Sequence, residues 1–361
     1  MKKLLRKHRK LLVPAAALLI LGTLLVLAGM LLLSSPGTGT VTRIIEMKKG
    51  EPLKKIAAEL EKAQVIAHPW VFTSYARITG KADKLQAGTY QFDDSMSPVE
   101  VLRRLANGEV LVLRFTVPEG YSIYQIAELL EQQQIFKKEP FLQQCFNRKL
   151  LSELEIRGAS VEGYLYPSTY KITREMDEAA FIRQMARQFG KVYDQKFGRQ
   201  VNSRRMRQHE VITLASLIEK EAAMPYERPL IASVFINRLK RGMRLQSDPT
   251  AVYGQRAFGS KVRKRDVMNG SPYNTYRFTG LPPGPIGNPS SEAIEAVLNP
   301  AKTNYLYFVA KKDGTHYFST SLIEHNNAVR KYLRSSASAR RSEEAPPSRE
   351  QNDRPIITRR R

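Results

Sequence analysis

Three patterns of apolar and polar positions divide the chain. Leu11 to Leu33 is 23 residues without a charge, roughly 34 Å of helix at 1.5 Å per residue, enough for a hydrocarbon core of about 30 Å with some tilt. The ten residues before it, MKKLLRKHRK, hold six Lys or Arg and no acid. A basic tip ahead of one apolar run predicts a single transmembrane helix over 11–33, residues 1–10 in the cytoplasm, and everything from about Ser34 outside it. A cleaved signal peptide has a shorter apolar core and a small-residue cleavage site, and fits this stretch poorly.

The second pattern is a repetition. Gly50, Leu53, Ile56, Ala57, Leu60, Glu61 and Val65 recur seventy residues later as Gly120, Ile123, Ile126, Ala127, Leu130, Glu131 and Ile135. Tyr90, Met96, Val101, Leu102, Arg103 and Leu105 recur at an offset of eighty as Tyr170, Met176, Phe181, Ile182, Arg183 and Met185, so the second copy carries about ten extra residues near Leu151–Ser160. The spacing of Leu53, Ile56, Ala57 and Leu60 is one face of a helix. Each copy, Val41–Gly108 and Val110–Gly190, reads as strand, helix, helix, strand, helix, the last helix of the first copy opened by a capping box at Ser97–Glu100. Trp70, Phe72, Tyr75, Tyr164, Tyr166 and Tyr170 either stack on sugar rings or fill the cores of these small units.

The third pattern is Val211–Ala223, almost wholly apolar or small, which predicts a buried helix ending in Glu219-Lys220-Glu221. Residues two apart point to different sides, so the two glutamates cannot share a role, and periodicity does not choose between them. A carboxyl held against apolar side chains has its pKa raised from about 4.3 toward about 6 and can deliver a proton near neutrality. The competing reading is two solvated carboxylates at a helix end, one paired with Lys220 or Arg228. Beyond it, Glu227-Arg228-Pro229 restarts a helix that stops at Gly242, Arg244–Thr250 reads as extended or loop, and Tyr273–Pro289 as a rigid irregular wall and not a core element. Tyr305–Ala310 and Thr315–Thr320 form a hairpin around Asp313-Gly314, and Leu322–Leu333 a last helix. From Ser335 the chain has the composition of a disordered tail.

Net charge is +24, of which the tip supplies +6 and the tail +3. With the body outside the cytoplasm, anionic cell-wall polymer or lipid head groups are the expected counter-charges, and nucleic acid is not. The single Cys145 excludes an internal disulfide framework and reads as a small buried hydrophobe; the five histidines have no metal-ligand spacing, so neither metal nor cofactor is expected.

The strings LIEKEA, ERP, VFINRL, GMRLQSDPT and YNTYRFTGLPPGPIGNPS resemble, in that order, the endolytic murein transglycosylase family, also called YceG-like, and the resemblance runs from the anchor to about Leu333. It implies an α+β protein with a LysM-like glycan-binding module over 41–190 and a catalytic domain over 202–334. It implies cleavage of the bond between N-acetylmuramic acid and N-acetylglucosamine without water, leaving 1,6-anhydro ends. Glu219, first of the EKE triplet, matches the family's catalytic residue. By position and resemblance Gln246, Ser247, Asp248, Asn274, Thr275 and Tyr276 hold the substrate, and Glu162–Tyr170, which matches a family string, lines one wall of the cleft. The implied setting is the inner membrane, crossed once, with action on nascent peptidoglycan strands that limits glycan elongation and peptidoglycan synthases as partners. Two alternatives stay open: a two-carboxylate muramidase in which Asp248 is nucleophile or base, and a non-catalytic glycan-binding scaffold for wall synthases. The repeated units are equally readable as a spacer, and Asp248 as a turn residue capping its own backbone.

Overall fold

The computed structural model describes residues 2–202, 206–254 and 262–334; the expected tail over 335–361 lies outside them. Its elements are α1 (Lys2–Leu33), β1 (Thr42–Met47), α2 (Leu53–Lys62), α3 (Pro69–Ile78), β2 (Gly88–Asp93), α4 (Pro98–Asn107), β3 (Val112–Thr116), α5 (Ile123–Gln132), α6 (Lys138–Cys145), α7 (Arg148–Glu153) and β4 (Thr169–Thr173). They continue as α8 (Glu178–Asn202), α9 (Gln208–Glu221), α10 (Arg228–Lys240), α11 (Asp248–Val252), α12 (Lys264–Val267), α13 (Ser291–Leu298), β5 (Tyr307–Ala310), β6 (His316–Ser319) and α14 (Leu322–Val329). The protein is mixed α+β. Contacts gather it into two units, one of residues up to Phe115 with Thr169–Asp177, the other of Thr116–Ser168 with the chain from Glu178 onward.

In the first unit, β1 and β2 pair antiparallel with Ile45 opposite Tyr90. Strand alternation sends Ile45, Met47, Tyr90 and Phe92 to one face, where they meet the apolar stripes of α2 and α4 (Ile56, Leu60, Val101, Leu102, Leu105) and Phe72 of α3. Tyr90 and Phe92 stack at 5.8 Å. Ser97 caps α4 through the Glu100 N–H at 3.3 Å, but the Glu100 carboxylate turns to Arg103 and Arg104 at 2.8–3.0 Å. Only half of the expected capping box therefore forms, because two guanidinium groups one turn away outbid a single backbone N–H.

The first copy has the element order strand, helix, helix, strand, helix, and the second has the same order with one further helix, α7, before its second strand. Helices α2 and α5 begin seventy residues apart, Tyr90 and Tyr170 lie in β2 and β4, and α7 overlaps the expected extra residues Leu151–Ser160 only at its C-terminal end. Gly50 and Gly120 both take positive φ (79° and 71°), as do Gln64 and Gln134 (59° and 56°). Packing divides the second copy: its strands gather with the first unit and helices α5–α8 with the second, and α8 runs without a break through the expected 190–202 boundary. Of the six candidate sugar-stacking aromatics only Trp70 is largely exposed, at 63%; Phe72, Tyr164 and Tyr170 are core.

In the second unit α9 is the central element, buried at every residue from Val211 to Ile218 and packed by α10, α11 and α13. At about 1.5–3 kcal/mol for each large apolar side chain buried, this one helix carries a large share of the unit's stability. Helix α10 ends with Gly242 at φ 66°, and β5 and β6 form the expected hairpin, β5 two residues shorter at its start and β6 one residue shorter at each end, with Tyr307 opposite Ser319. Asp248 opens the short helix α11 where an extended segment or loop was expected. The expected rigid wall is a core element in its second half: Pro285–Ser290 is buried. A loop tolerates burial when its backbone groups find partners, and Ser216 Oγ accepts from the Ile286 N–H at 3.1 Å while Asn288 pairs with Gly120 and Tyr121. Cys145 is buried, its thiol pushed well up by desolvation.

Candidate functional site

The last turn of α9 carries Glu219, Lys220 and Glu221 in three directions, and each meets a different surrounding. Glu219 is 7% exposed. Its Oε1 accepts from Arg228 Nη2 at 3.1 Å, and its Oε2 from the Ser290 backbone N–H at 2.9 Å and from the Ser290 hydroxyl. Ser290 is also the N-cap of α13, its Oγ accepting from the Ala293 N–H at 3.2 Å, so the carboxyl is fixed to a helix end. Arg228 begins α10; its Nε is buried without an acceptor, and the side chain lines a cavity of about 430 Å³ with Pro229, Ser291 and Glu292.

The opposite side of Glu219 is closed by the turn Pro118–Tyr121. A Cβ on Gly120 would stand 3.2 Å from Glu219 Cγ. The Gly120 N–H donates to the Asn288 carbonyl at 2.7 Å and the Asn288 N–H to the Tyr121 carbonyl at 2.9 Å. A Cβ on Gly287 would lie 2.5 Å from the Gly120 oxygen, so two backbones meet here as only glycines allow. Glu119, next in this turn, has its pKa raised by burial and then by the charges of Glu219 and Glu292, against Arg228.

Glu221 faces away. Burial pushes it up to about 7; the Ser247 hydroxyl, donating at 2.6 Å, opposes this, Asp248 adds to it and Arg238 opposes it. Asp248 Oδ1 accepts from the Tyr276 hydroxyl at 2.5 Å. Of the residues expected to hold substrate, Gln246, Asp248 and Tyr276 are exposed or partly exposed, whereas Ser247, Asn274 and Thr275 are buried. Asn274 Nδ2 donates to the carbonyls of Val267 and Asn269 at 3.0 and 2.9 Å, and Thr275 Oγ1 accepts from the Ser247 N–H at 3.0 Å. The side chains of Ser247, Asn274 and Thr275 brace the segment; Gln246, Asp248 and Tyr276 face outward from it.

Lys220 points between the two glutamates. Its Nζ donates to Gln125 Oε1 at 3.2 Å, and burial lowers its pKa to about 8. Behind it Glu162, 1% exposed, is pushed up to about 8 by burial, the Tyr253 hydroxyl and the Ile123 N–H opposing. Those donors stand at 2.8 and 3.1 Å, and Asn288 Nδ2 at 3.2 Å. Glu162 thus ties α5, the end of α11 and the Asn288 loop together behind the C-terminal end of α9. Sequence reasoning did not single out Glu119, and it met Glu162, Lys220, Asn288 and Ser290 only as members of matched strings or as a possible ion-pair partner, without these roles; Gly120 was flagged only as a repeat position.

A carboxyl at the end of a buried helix, oriented by an arginine and a capping serine, is an arrangement able to carry a proton to a bound group. The YceG-like family model matches residues 45–331. An endolytic murein transglycosylase of Bacillus subtilis is 34% identical over 307 residues, spanning 81% of this chain and 85% of the relative. One of Streptococcus pneumoniae is 32% identical over 323 residues, and there the match spans 81% of this chain and 58% of the relative. The crystal structure of a yceG-like protein from Listeria monocytogenes superposes with a TM-score of 0.56 at 33% identity, covering 80% of this chain and 99% of that one. The chain belongs to the YceG-like family.

Proposed function

We propose that this chain is a lytic transglycosylase of peptidoglycan, cleaving the N-acetylmuramic acid–N-acetylglucosamine bond to leave a 1,6-anhydro end. The relatives named for this activity support the reading, and the observation that carries it to particular residues is the Glu219 carboxyl held by Ser290 and Arg228. In this mechanism protonated Glu219 gives its proton to the glycosidic oxygen. As carboxylate it then takes the proton of the 6-hydroxyl, whose oxygen attacks C1, so one group serves as acid and base. Gln246, Asp248 and Tyr276 contact the sugar, and the Arg228 guanidinium holds the Glu219 carboxyl in place. The anchor over 11–33 holds the enzyme at the inner membrane, where nascent strands and their synthases are met, and the repeated units bind glycan in the LysM-like manner.

A second reading has one specific observation behind it. Glu221, pushed up to about 7 by burial with the Asp248 charge adding to the shift, offers the raised acid, and Asp248 the second carboxyl, of a two-carboxylate hydrolase. Mass analysis of the products separates the two: anhydro ends are one water lighter than hydrolytic reducing ends. Glu219→Gln is expected to abolish anhydro product with folding intact; reducing ends, or full activity of that variant, would overturn the assignment.

A further inference from the structure

The start of the first unit bears on how the protein sits at its membrane. The uncharged run of α1, Leu11–Leu33, is about 34 Å of helix against a hydrocarbon core of about 30 Å. An upright span therefore leaves only about the last two or three residues of the helix outside the hydrocarbon. Yet its end is covered by protein: Ala28, Gly29, Leu31 and Leu32 are partly buried, and α1 packs against α3 and α4. Ala28 lies about 7 Å below Leu33 along the helix, so whatever covers it enters the interfacial region of the bilayer.

The residues after α1 do not act as a free tether. The Asp94 carboxylate accepts the N–H groups of Gly39 and Val41 at 2.7 and 3.3 Å, the Gly37 N–H donates to the Asp94 carbonyl at 2.7 Å, and the Asp94 N–H returns to the Val41 carbonyl at 3.0 Å. A Cβ on Gly37 would meet the Asp94 side chain. The exit from the span is thus clamped to the β2–α4 turn.

Helix α3 presents Trp70, Ser74, Arg77 and Ile78 on one exposed face, Trp70 at 63% and Ile78 at 84% exposure. The exposed Lys84 follows α3 in sequence. An amphipathic indole, an aliphatic residue and a guanidinium on one stripe are what an interfacial helix offers. We propose that α3 docks on the outer leaflet of the membrane that α1 spans, Trp70 and Ile78 entering the interface and Arg77 meeting lipid phosphates. The proposal rests on reading α1 as an uncleaved anchor.

Trp70 is the only tryptophan in the chain and reports on its own surroundings. The full-length protein is reconstituted into vesicles of phosphatidylethanolamine and phosphatidylglycerol, with and without bromine on the upper acyl chain. Co-flotation with the vesicles tests the anchor; Trp70 fluorescence tests the docking. The expected result is co-flotation, a blue-shifted emission, loss of most fluorescence in brominated vesicles, and protection from iodide. Ile78→Asp, at a position too exposed to affect folding, should restore much of the lost fluorescence. Co-flotation with an unquenched, iodide-accessible Trp70 would overturn the docking and leave the anchor standing, as would quenching that Ile78→Asp does not alter. Emission that instead responds to soluble glycan strands would assign Trp70 to sugar stacking. Failure to co-float would remove the anchor and the docking with it.

Discussion

The contact between Gly120 and Glu219 can be tested with a control the chain itself supplies. Gly50 holds the corresponding place before α2, at φ 79° against 71° for Gly120, and a Cβ there meets nothing within 4 Å. Alanine at either position carries the left-handed penalty of about 1–2 kcal/mol. At Gly120 alone the new methyl stands 3.2 Å from Glu219 Cγ and moves the carboxyl by a few tenths of an ångström. A displacement of 1 Å at reacting groups can cost on the order of 10² in rate, so this smaller shift is expected to lower kcat roughly tenfold, about 1.4 kcal/mol. Thermal unfolding and the rate of anhydro-product release from defined glycan strands are measured for both variants. Similar losses of stability with the rate loss confined to Gly120→Ala are expected. Equal rates in the two variants, with Gly120→Ala folded, would refute the claim that this turn positions the carboxyl.

Glu219→Gln keeps the shape and removes proton transfer, so turnover should fall by on the order of 10²–10⁴, read as anhydro-muramyl product. Glu221→Gln should lower turnover far less; if it instead removes activity and its pH profile, Glu221 is the acid. Asp248→Asn should raise KM with a modest effect on kcat, whereas near-complete loss of turnover would favour hydrolysis. Folded Glu162 keeps its proton to about pH 8 while the unfolded chain releases it near 4.5. Stability from the neutral form is thus complete below the unfolded value and lost as pH rises through about 8. Glu162→Gln, always neutral, should flatten a decline of about 3–5 kcal/mol between those limits, seen in denaturant titrations at several pH values.

The apolar span, the repeated helices, the buried α9 and the hairpin were legible because each is a local period, readable from one stretch of chain. The wall at Tyr273–Pro289 was misjudged over its second half for the opposite reason. Prolines and glycines announce irregular backbone, but whether it is buried depends on partners far away, here Ser216, Gly120 and Tyr121. Ser247, Asn274 and Thr275 were expected at the substrate because short polar residues in a loop look available. Burial and the hydrogen bonds to Val267, Asn269 and each other leave their side chains no free group to offer. Between Glu219 and Glu221 the helix period was silent, since both lie on buried flanks and differ only in what faces them.

What faces Glu219 comes from three separated stretches: Gly120, Arg228 and Ser290. The strings ERP and YNTYRFTGLPPGPIGNPS contain Arg228 and Ser290 without showing that they meet Glu219, and Gly120 lies in none of the matched strings. The buried side of the same helix end depends on Glu162 and Gln125, which also precede the expected 202–334 boundary. In the first copy the turn at Gly50 touches no side chain that a methyl would disturb; in the second, the same turn with a similar φ stands against Glu219. A single backbone shape has thus been put to two uses, and the difference lies in what packs against it. A fragment starting after residue 190 would keep Glu219 and the donors on α10 and α13. It would lose the turn that closes one side and the buried carboxyl that holds the Asn288 loop, so its carboxyl would be present without being positioned.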